Sequence, residues 1–317
     1  MSRPRSAPDL YLLSKASTLY YLRDLTQAEI AKRLGVSRPT VSRLLNEARE
    51  RGIVTIRVTP APGMHLDLES QMESRYHLEE AVVVSAEKRR SGDILRQIGG
   101  AASAYLARTV QPGETIGLAW GHTLNAMVQA TPALPREGLR IVQILGGVGP
   151  PDGKAYAADM VRRLARQFGA APVLLPAPGV VSTPAGRDAL RKDPHVMSAL
   201  KAHDKLDTAF VGIGSLLTNE VLNDGHSLPR GTFKRLVDAG AVSDIALRFF
   251  DDAGRAVHTA LDDRILGISV EQLRKVKRVV AVAGGKDKID AIRSALRTGI
   301  VNVLVTDQAT ATALADE

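Results

Sequence analysis

Between Leu25 and Ile53 the apolar positions recur with the period of two short helices. In LTQAEIAKRLGVSRPTVSRLLNEARERGI, Ile30, Ala31 and Leu34 share one face, and Val41, Leu44 and Leu45 form the inner stripe of a second helix. Thr26 stands three residues before Glu29, the spacing of a capping box. Gly35 follows the last apolar residue of the first helix, where a left-handed C-cap is wanted. Ser37 is placed to cap the second helix. Two helices joined by a short turn containing Gly predict a helix-turn-helix. Leu10–Arg23, apolar at Leu10, Leu12, Leu13, Ala16, Leu19, Tyr20 and Leu22, predicts a third, supporting helix. The second helix of the motif is expected to run through Leu45, Ala48 and Arg49 to Gly52. IVTIRV (53–58) is β-branched and alternating, which predicts a strand suited to a wing. PAPG (60–63) ends this domain, so a boundary is expected between 59 and 60. Residues 1–9, with two Pro, two Arg and two Ser, are expected to be disordered.

After the boundary, Leu66–Tyr76 carries Leu66, Leu68, Met72 and Tyr76 at rough helical spacing. This linker helix could pair with another subunit or pack on its own body. From Ala81 the pattern becomes one of continuous apolar runs: AVVVS (81–85), TIGLA (115–119), RIVQIL (140–145), APVLL (171–175), TAFVGI (208–213), IALRFF (245–250), VKRVVAVA (276–283) and VNVLV (301–305). Helical patterns fall between most of them, including 93–109, a stretch from Thr123, and 155–168. Buried strands alternating with helices predict a doubly wound, mostly parallel sheet. The expected fold is α/β: a three-helix helix-turn-helix domain at 1–59, with or without a wing, and a sheet domain at 60–317.

Charge sharpens the division. Of the net +8, the first 58 residues contribute +6, with 11 Lys and Arg against 5 Asp and Glu. That is the electrostatic footprint of a DNA-binding module on a near-neutral body. The outward positions of the second motif helix are Ser37, Arg38, Pro39, Thr40, Ser42, Arg43 and Asn46, with no acid among them; Thr26 and Gln27 open the first helix. Arg suits guanine, Asn suits adenine, and Ser and Thr serve phosphates or bases. The chain has no Cys, and its seven His show no ligand spacing such as HExxH, so neither metal nor cofactor is expected. No apolar run approaches a membrane span and no signal peptide is visible, so a cytoplasmic protein is expected.

The loops after the predicted strands are WGHT (120–123), GGVGP (146–150), PAPGVVST (176–183), GSLL (214–217), GGKDKIDAI (284–292) and TDQATA (306–311). Gly admits close backbone approach, helix starts add positive ends, and Lys adds charge, so the set points to a small polar ligand carrying phosphate. Gly at such turns also serves plain turn geometry. No loop matches GxGxxG with a downstream acid, or GxxxxGK[ST].

With these blocks in view the chain resembles the SorC family of bacterial transcriptional regulators. GLAWGHTL (117–124), QILGG (143–147), FVGIG (210–214), GAVSDIALRFFDDAG (240–254), DRILGIS (263–269) and VAGGKDKIDAIRSALRTGIVNVLVTDQATA (282–311) carry the resemblance, from about Leu10 onward. It implies a helix-turn-helix joined to a sugar- or sugar-phosphate-binding domain similar to phosphosugar isomerases. It also implies operator DNA as partner and a homotetramer, a dimer of dimers. On that resemblance Gly121, His122, Thr123, Gly146 and Gly147 line the effector pocket, and Asp244, Arg248 and Lys288 face the ligand. Lys286 competes with Lys288; one helical turn favours Lys288. Ser243 stands where the family often has Gly, and His122 where a small or polar residue is commoner. The expected function is an effector-controlled regulator of carbohydrate metabolism, not an enzyme. The alternative is a phosphosugar isomerase with a DNA-binding head, for which only Asp244 or His122 offers a base.

Overall fold

Three helices build the first of two units, residues 1–59. The computed structural model describes residues 10–57, 59, 63–85, 91–147, 157–216 and 231–316. Helix α1 spans Leu10–Tyr21, α2 Gln27–Leu34 and α3 Arg38–Glu50. Thr26 and Glu29 form the reciprocal capping box of α2, and Gly35 closes it at φ 67°. Ser37 caps α3 by accepting the Thr40 N–H. Leu13, Ala16 and Leu19 of α1 meet Ile30, Ala31, Val41, Leu44, Leu45 and Ala48 in a closed core. Each Leu or Ile fully buried there contributes about 1.5–3 kcal/mol relative to exposure.

The expected wing strand does not form at 53–57, and Val58 lies outside the described residues. A strand needs a ladder partner, and among the described residues this unit has none. The Val54 N–H instead bonds back to Ala48 O at 3.1 Å, and Val54 packs on the helical core. The expectations for residues 1–9 and for most of 60–63 also lie outside the described residues.

The second unit, 60–317, begins with α4, Leu66–Tyr76. It continues with β1 (Glu80–Val84), α5 (Ser91–Thr109), β2 (Thr115–Leu118), α6 (His122–Ala130), β3 (Arg140–Gln143), α7 (Ala157–Phe168) and β4 (Ala171–Val173). Then come α8 (Pro184–Arg191), α9 (Pro194–Ala202), β5 (Thr208–Val211), β6 (Gly214–Ser215), α10 (Thr232–Asp238), β7 (Ser243–Ile245), β8 (Arg248–Phe250) and β9 (Ala256–Val257). The chain closes with α11 (Val270–Leu273), β10 (Arg278–Val282), α12 (Ile289–Arg297), β11 (Val303–Asp307) and α13 (Gln308–Ala315).

Seven strands form one parallel sheet in the order β1-β11-β10-β5-β2-β3-β4. Every residue of β2, β5 and β11 is buried, as expected of a parallel sheet covered on both faces. β4, by contrast, is a short edge strand with Ala171 and Pro172 exposed, a place where a missing N–H is tolerated.

IALRFF is not one strand. β7 and β8 are antiparallel arms joined at Ala246 and Leu247, both at positive φ, and they belong to a separate sheet β6-β7-β8-β9. The run is apolar apart from Arg248 because the hairpin is buried, turn included, and such runs do not distinguish strand from turn.

Helix α4 packs on its own unit. Met72 is fully buried, with Leu68 and Tyr76 against the main core. Its Glu73 and Glu69 side chains accept the Ala81 and Val83 N–H groups, each at 2.9 Å. Edge strand β1 thereby has two of its backbone donors capped by carboxylates.

Candidate functional site

The α2–α3 surface carries all the residues expected to read DNA. Arg38, Pro39, Arg43 and Asn46 are exposed on α3, and Thr40 and Ser42 are partly so. Ser37 and Thr26 are exposed at the caps, beside a half-buried Gln27. Some of these groups already have partners. The Ser37 and Thr40 hydroxyls lie 2.8 Å apart, and Arg49 Nη2 donates to Asn46 Oδ1 at 2.6 Å. Arg43 Nη2 reaches Thr40 Oγ1 only at 3.5 Å. Helix α3 thus offers Arg38 and Arg43 as its most available donors, at and near its N-terminus.

In the second unit the parallel strands send their loops to one edge. β10, β5, β2 and β3 are successive neighbours, and the chain reverses its winding between β5 and β2. In doubly wound sheets ligands bind beyond the strand ends at that reversal. The loop after β2 holds Gly121 at φ 141°, with nothing within 4 Å of where a Cβ would sit. His122 opens α6 exposed to solvent, Thr123 is partly exposed, and no side chain caps the helix start. The loop after β10 holds Gly285, also at positive φ with open space beside it.

Lys288 is partly buried and donates from Nζ to Ile213 O, 3.1 Å away in the loop after β5. Lys286 is exposed. Asp244 is paired in register with Gly214, one residue beyond that contact. The structure therefore brings Lys288, the 213–214 backbone and Asp244 together.

Four of the expected residues have structural tasks. One Asp244 oxygen accepts the Leu247 N–H at 3.1 Å and so holds the positive-φ turn. Arg248 donates from Nε to Ile268 O and from Nη1 to Asp262; burial holds its pKa below the usual guanidinium value, against the pull of Asp262. At Gly146 a Cβ would press within 2.6 Å of the 177–179 backbone, so close approach requires glycine there. Gly147 is bonded both ways to that segment, through Ala177 O and the Gly179 N–H. The rest of the GGVGP loop, and Leu217, lie outside the described residues.

An open polar groove of about 470 Å³ lies at the opposite edge, among Glu114, Asp207, Lys277 and Arg278. Its charged groups are largely spent on one another: Lys277 pairs with Asp207 at 3.0 Å, and Thr208 donates to Glu114. Loop chemistry, not the size of that groove, locates the candidate site. Among the described residues no group of His, Asp or Glu could hold a metal.

Comparison with known proteins bears on both units. The sugar-binding domain family matches residues 62–315, and the MarR family matches residues 13–63. The deoxyribonucleoside regulator of Bacillus subtilis is 34% identical over 308 residues, covering 96% of each chain. The sorbitol operon regulator of Klebsiella pneumoniae is 32% identical over 311 residues, covering 96% of this chain and 98% of that one. The crystal structure of that full-length regulator, SorC, superposes with a TM-score of 0.75 at 31% identity, over 98% of this chain and all of the other. The chain belongs to the SorC family of transcriptional regulators. It is a DNA-binding regulator with a sugar-binding second unit, and the enzyme alternative is not favoured.

Within this SorC-family chain, two residues that sequence reasoning assigned no task stand out beneath the Gly285 loop. Asp307 is 1% exposed and Thr310 fully buried. The Gly285 N–H points at both, 2.8 Å from Asp307 Oδ2 and 2.9 Å from Thr310 Oγ1. The spacing D-x-x-T reads as a helix cap, which it is. Its grip on a glycine more than 20 residues earlier leaves no local signal.

Proposed function

We propose that this regulator reads operator DNA through the α2–α3 surface and is controlled by a sugar or polyol phosphate held at the carboxyl edge of the parallel sheet. The observation that carries the reading is that the Gly121–His122–Thr123 and Gly285–Lys288 loops follow β2 and β10, the two strands that flank β5, whose own loop pairs with Asp244. Open backbone at positive φ, an uncapped helix start and a lysine suit an anionic head group. Asp244 suits hydroxyls. Gly146, Gly147 and Arg248 frame the site instead of touching the ligand. Relatives named for deoxyribonucleosides, sorbitol and erythritol support a small polyhydroxylated effector.

On this reading the DNA contacts fall to Arg38, Arg43, Pro39, Ser42 and Asn46, with Thr26, Gln27, Ser37 and Thr40 placing the caps against phosphates. The protein acts in the cytoplasm as a homotetramer, since such motifs read repeated half-sites, and it turns over no substrate. His122 is exposed, and one oxygen of Asp244 already holds the turn to Leu247. The test is a thermal-shift screen of free and phosphorylated sugars and polyols. A ligand at 100 times its Kd stabilises by about 2.7 kcal/mol. A phosphorylated compound that raises the melt while its free sugar does not supports the phosphate site; a panel without effect on the second unit removes it. Release of an isomerised product would restore the enzyme reading.

A further inference from the structure

We infer that helix α13 is the element through which the effector loop acts on the linker helix α4, with Asp307 and Thr310 as positioning residues at one end and Arg75 and Tyr76 at the other. The inference rests on the effector site proposed above and names how that site is coupled.

At the amino end of α13, Asp307 Oδ1 accepts the Thr310 N–H at 3.0 Å, and Oδ2 accepts the Thr310 hydroxyl at 2.6 Å. That hydroxyl proton is spent on Asp307, so Thr310 Oγ1 is left to accept the Gly285 N–H, which Asp307 Oδ2 shares. Water has almost no access to this cluster. The Gly285 loop therefore moves with the α13 start or gives up a buried, charge-assisted hydrogen bond. An anion that takes the Gly285 N–H removes it from Asp307 and Thr310. The loop thus has two alternative partners, one of them the helix.

At the carboxyl end of α13, Leu314 O accepts the Tyr76 hydroxyl and Ala315 O accepts Arg75 Nη1, both at 3.1 Å. Arg75 and Tyr76 form the last turn of α4. The eight residues between the two ends make a strut of about 12 Å. α4 is itself fastened to β1 by Glu69 and Glu73, and it is the first helix after the junction with the DNA-reading unit. A contiguous set of hydrogen bonds, buried at the Asp307–Thr310 end and partly to fully exposed at the Arg75–Tyr76 end, therefore runs from the loop with Lys288 to the helix that follows the DNA-reading unit in the chain.

Amide hydrogen exchange on the full chain tests this without an effector. Thr310→Val keeps the side-chain volume and removes the hydroxyl. We expect exchange at 284–288 to rise about tenfold and at 73–78 roughly threefold, with α7 unchanged. Thr310→Ser, which keeps the hydroxyl, should restore both. A loosened loop with wild-type exchange at 73–78 overturns the inference. Should Thr310→Val not fold, Arg75→Gln with Tyr76→Phe gives the same decision from the other end. There, inorganic phosphate and the compound that shifts the melt serve as probes. Effector and operator should each bind within about twofold of wild type, while the factor by which one alters the other falls roughly fivefold or more. An unchanged factor overturns the inference. If no probe binds wild-type protein, the effector site fails, and exchange in Arg75→Gln/Tyr76→Phe decides the strut: it stands if 308–316 loosens together with 284–288 and falls if 284–288 stays at wild type.

Discussion

His203 follows α9 and is 1% exposed, with Nε2 3.0 Å from Gln143 O. The carbonyl can only accept, so Nε2 carries the proton and Nδ1 is bare, buried and without a partner. Protonating Nδ1 would bury an unpaired charge. Burial therefore holds the imidazole pKa below its usual value of about 6.5, and Gln143 and Asp204 oppose this only in part. Unfolded chains bind a proton near pH 6.5 that the folded chain refuses. This contribution to stability is complete above that pH and is lost as pH falls below it. The urea midpoint should accordingly be lower at pH 5.5 than at 7.5, and His203→Gln should shrink that difference. A midpoint difference untouched by His203→Gln would assign the pH dependence to other groups.

Arg38 and Arg43 permit a second prediction at this scale. If either reads a guanine edge, its replacement by Ala should cost about 1–3 kcal/mol of operator affinity and relax the preference at one base pair. An arginine serving only phosphate would weaken all sequences alike. Competition titrations against operator variants separate the two.

Among elements, the turn between α2 and α3 depends on Gly35. Its φ of 67° disfavours any side chain, although nothing stands within 4 Å of the Cβ position. Gly35→Ala should destabilise the first unit by about 1 kcal/mol from backbone strain alone. The check is a melt that resolves this unit from the second. Edge strand β1 makes a different demand. Without Glu69 and Glu73, the buried Ala81 and Val83 N–H groups lose their acceptors, at about 1–3 kcal/mol each. The Glu69→Ala/Glu73→Ala double variant should melt earlier and scatter more light on warming, since an uncovered edge pairs with other chains.

These two elements also show what a sequence makes legible. Caps act over two or three residues, so Thr26, Gly35 and Ser37 announce α2 and α3. The seven strands of the parallel sheet all fall where the apolar runs do. IALRFF has the same composition but turns at Ala246 and Leu247, held by a bond from Asp244. The 53–58 run alternates like a strand, yet among the described residues 53–57 has no partner to pair with. Local pattern reports burial; pairing depends on distant chain.

For the whole molecule the same distinction governs the effector site. The glycines at strand ends are visible in sequence, but their causes are not: Gly146 answers to the 177–179 backbone, while Gly121 and Gly285 leave open space. Only the sheet order puts the loops after β2 and β10 on either side of β5, at one edge of the sheet. If that ligand controls operator binding, the control must be reciprocal. An effector that weakens operator binding tenfold spends about 1.4 kcal/mol of coupling, and saturating operator must weaken effector binding by the same tenfold. Titrating effector into the protein, free and bound to an operator duplex, measures this directly. Equal factors place the coupling within one assembly. If the factors disagree, or shift with protein concentration, a change of oligomeric state is part of the cycle, and subunit association must enter the linkage as a third binding step. Net charge of +6 on the first 58 residues adds a control. Raising salt should weaken operator binding steeply, through counterion release, while leaving the effector's factor unchanged. A factor that falls with salt would mean that the effector works by its own charge, instead of by moving the chain.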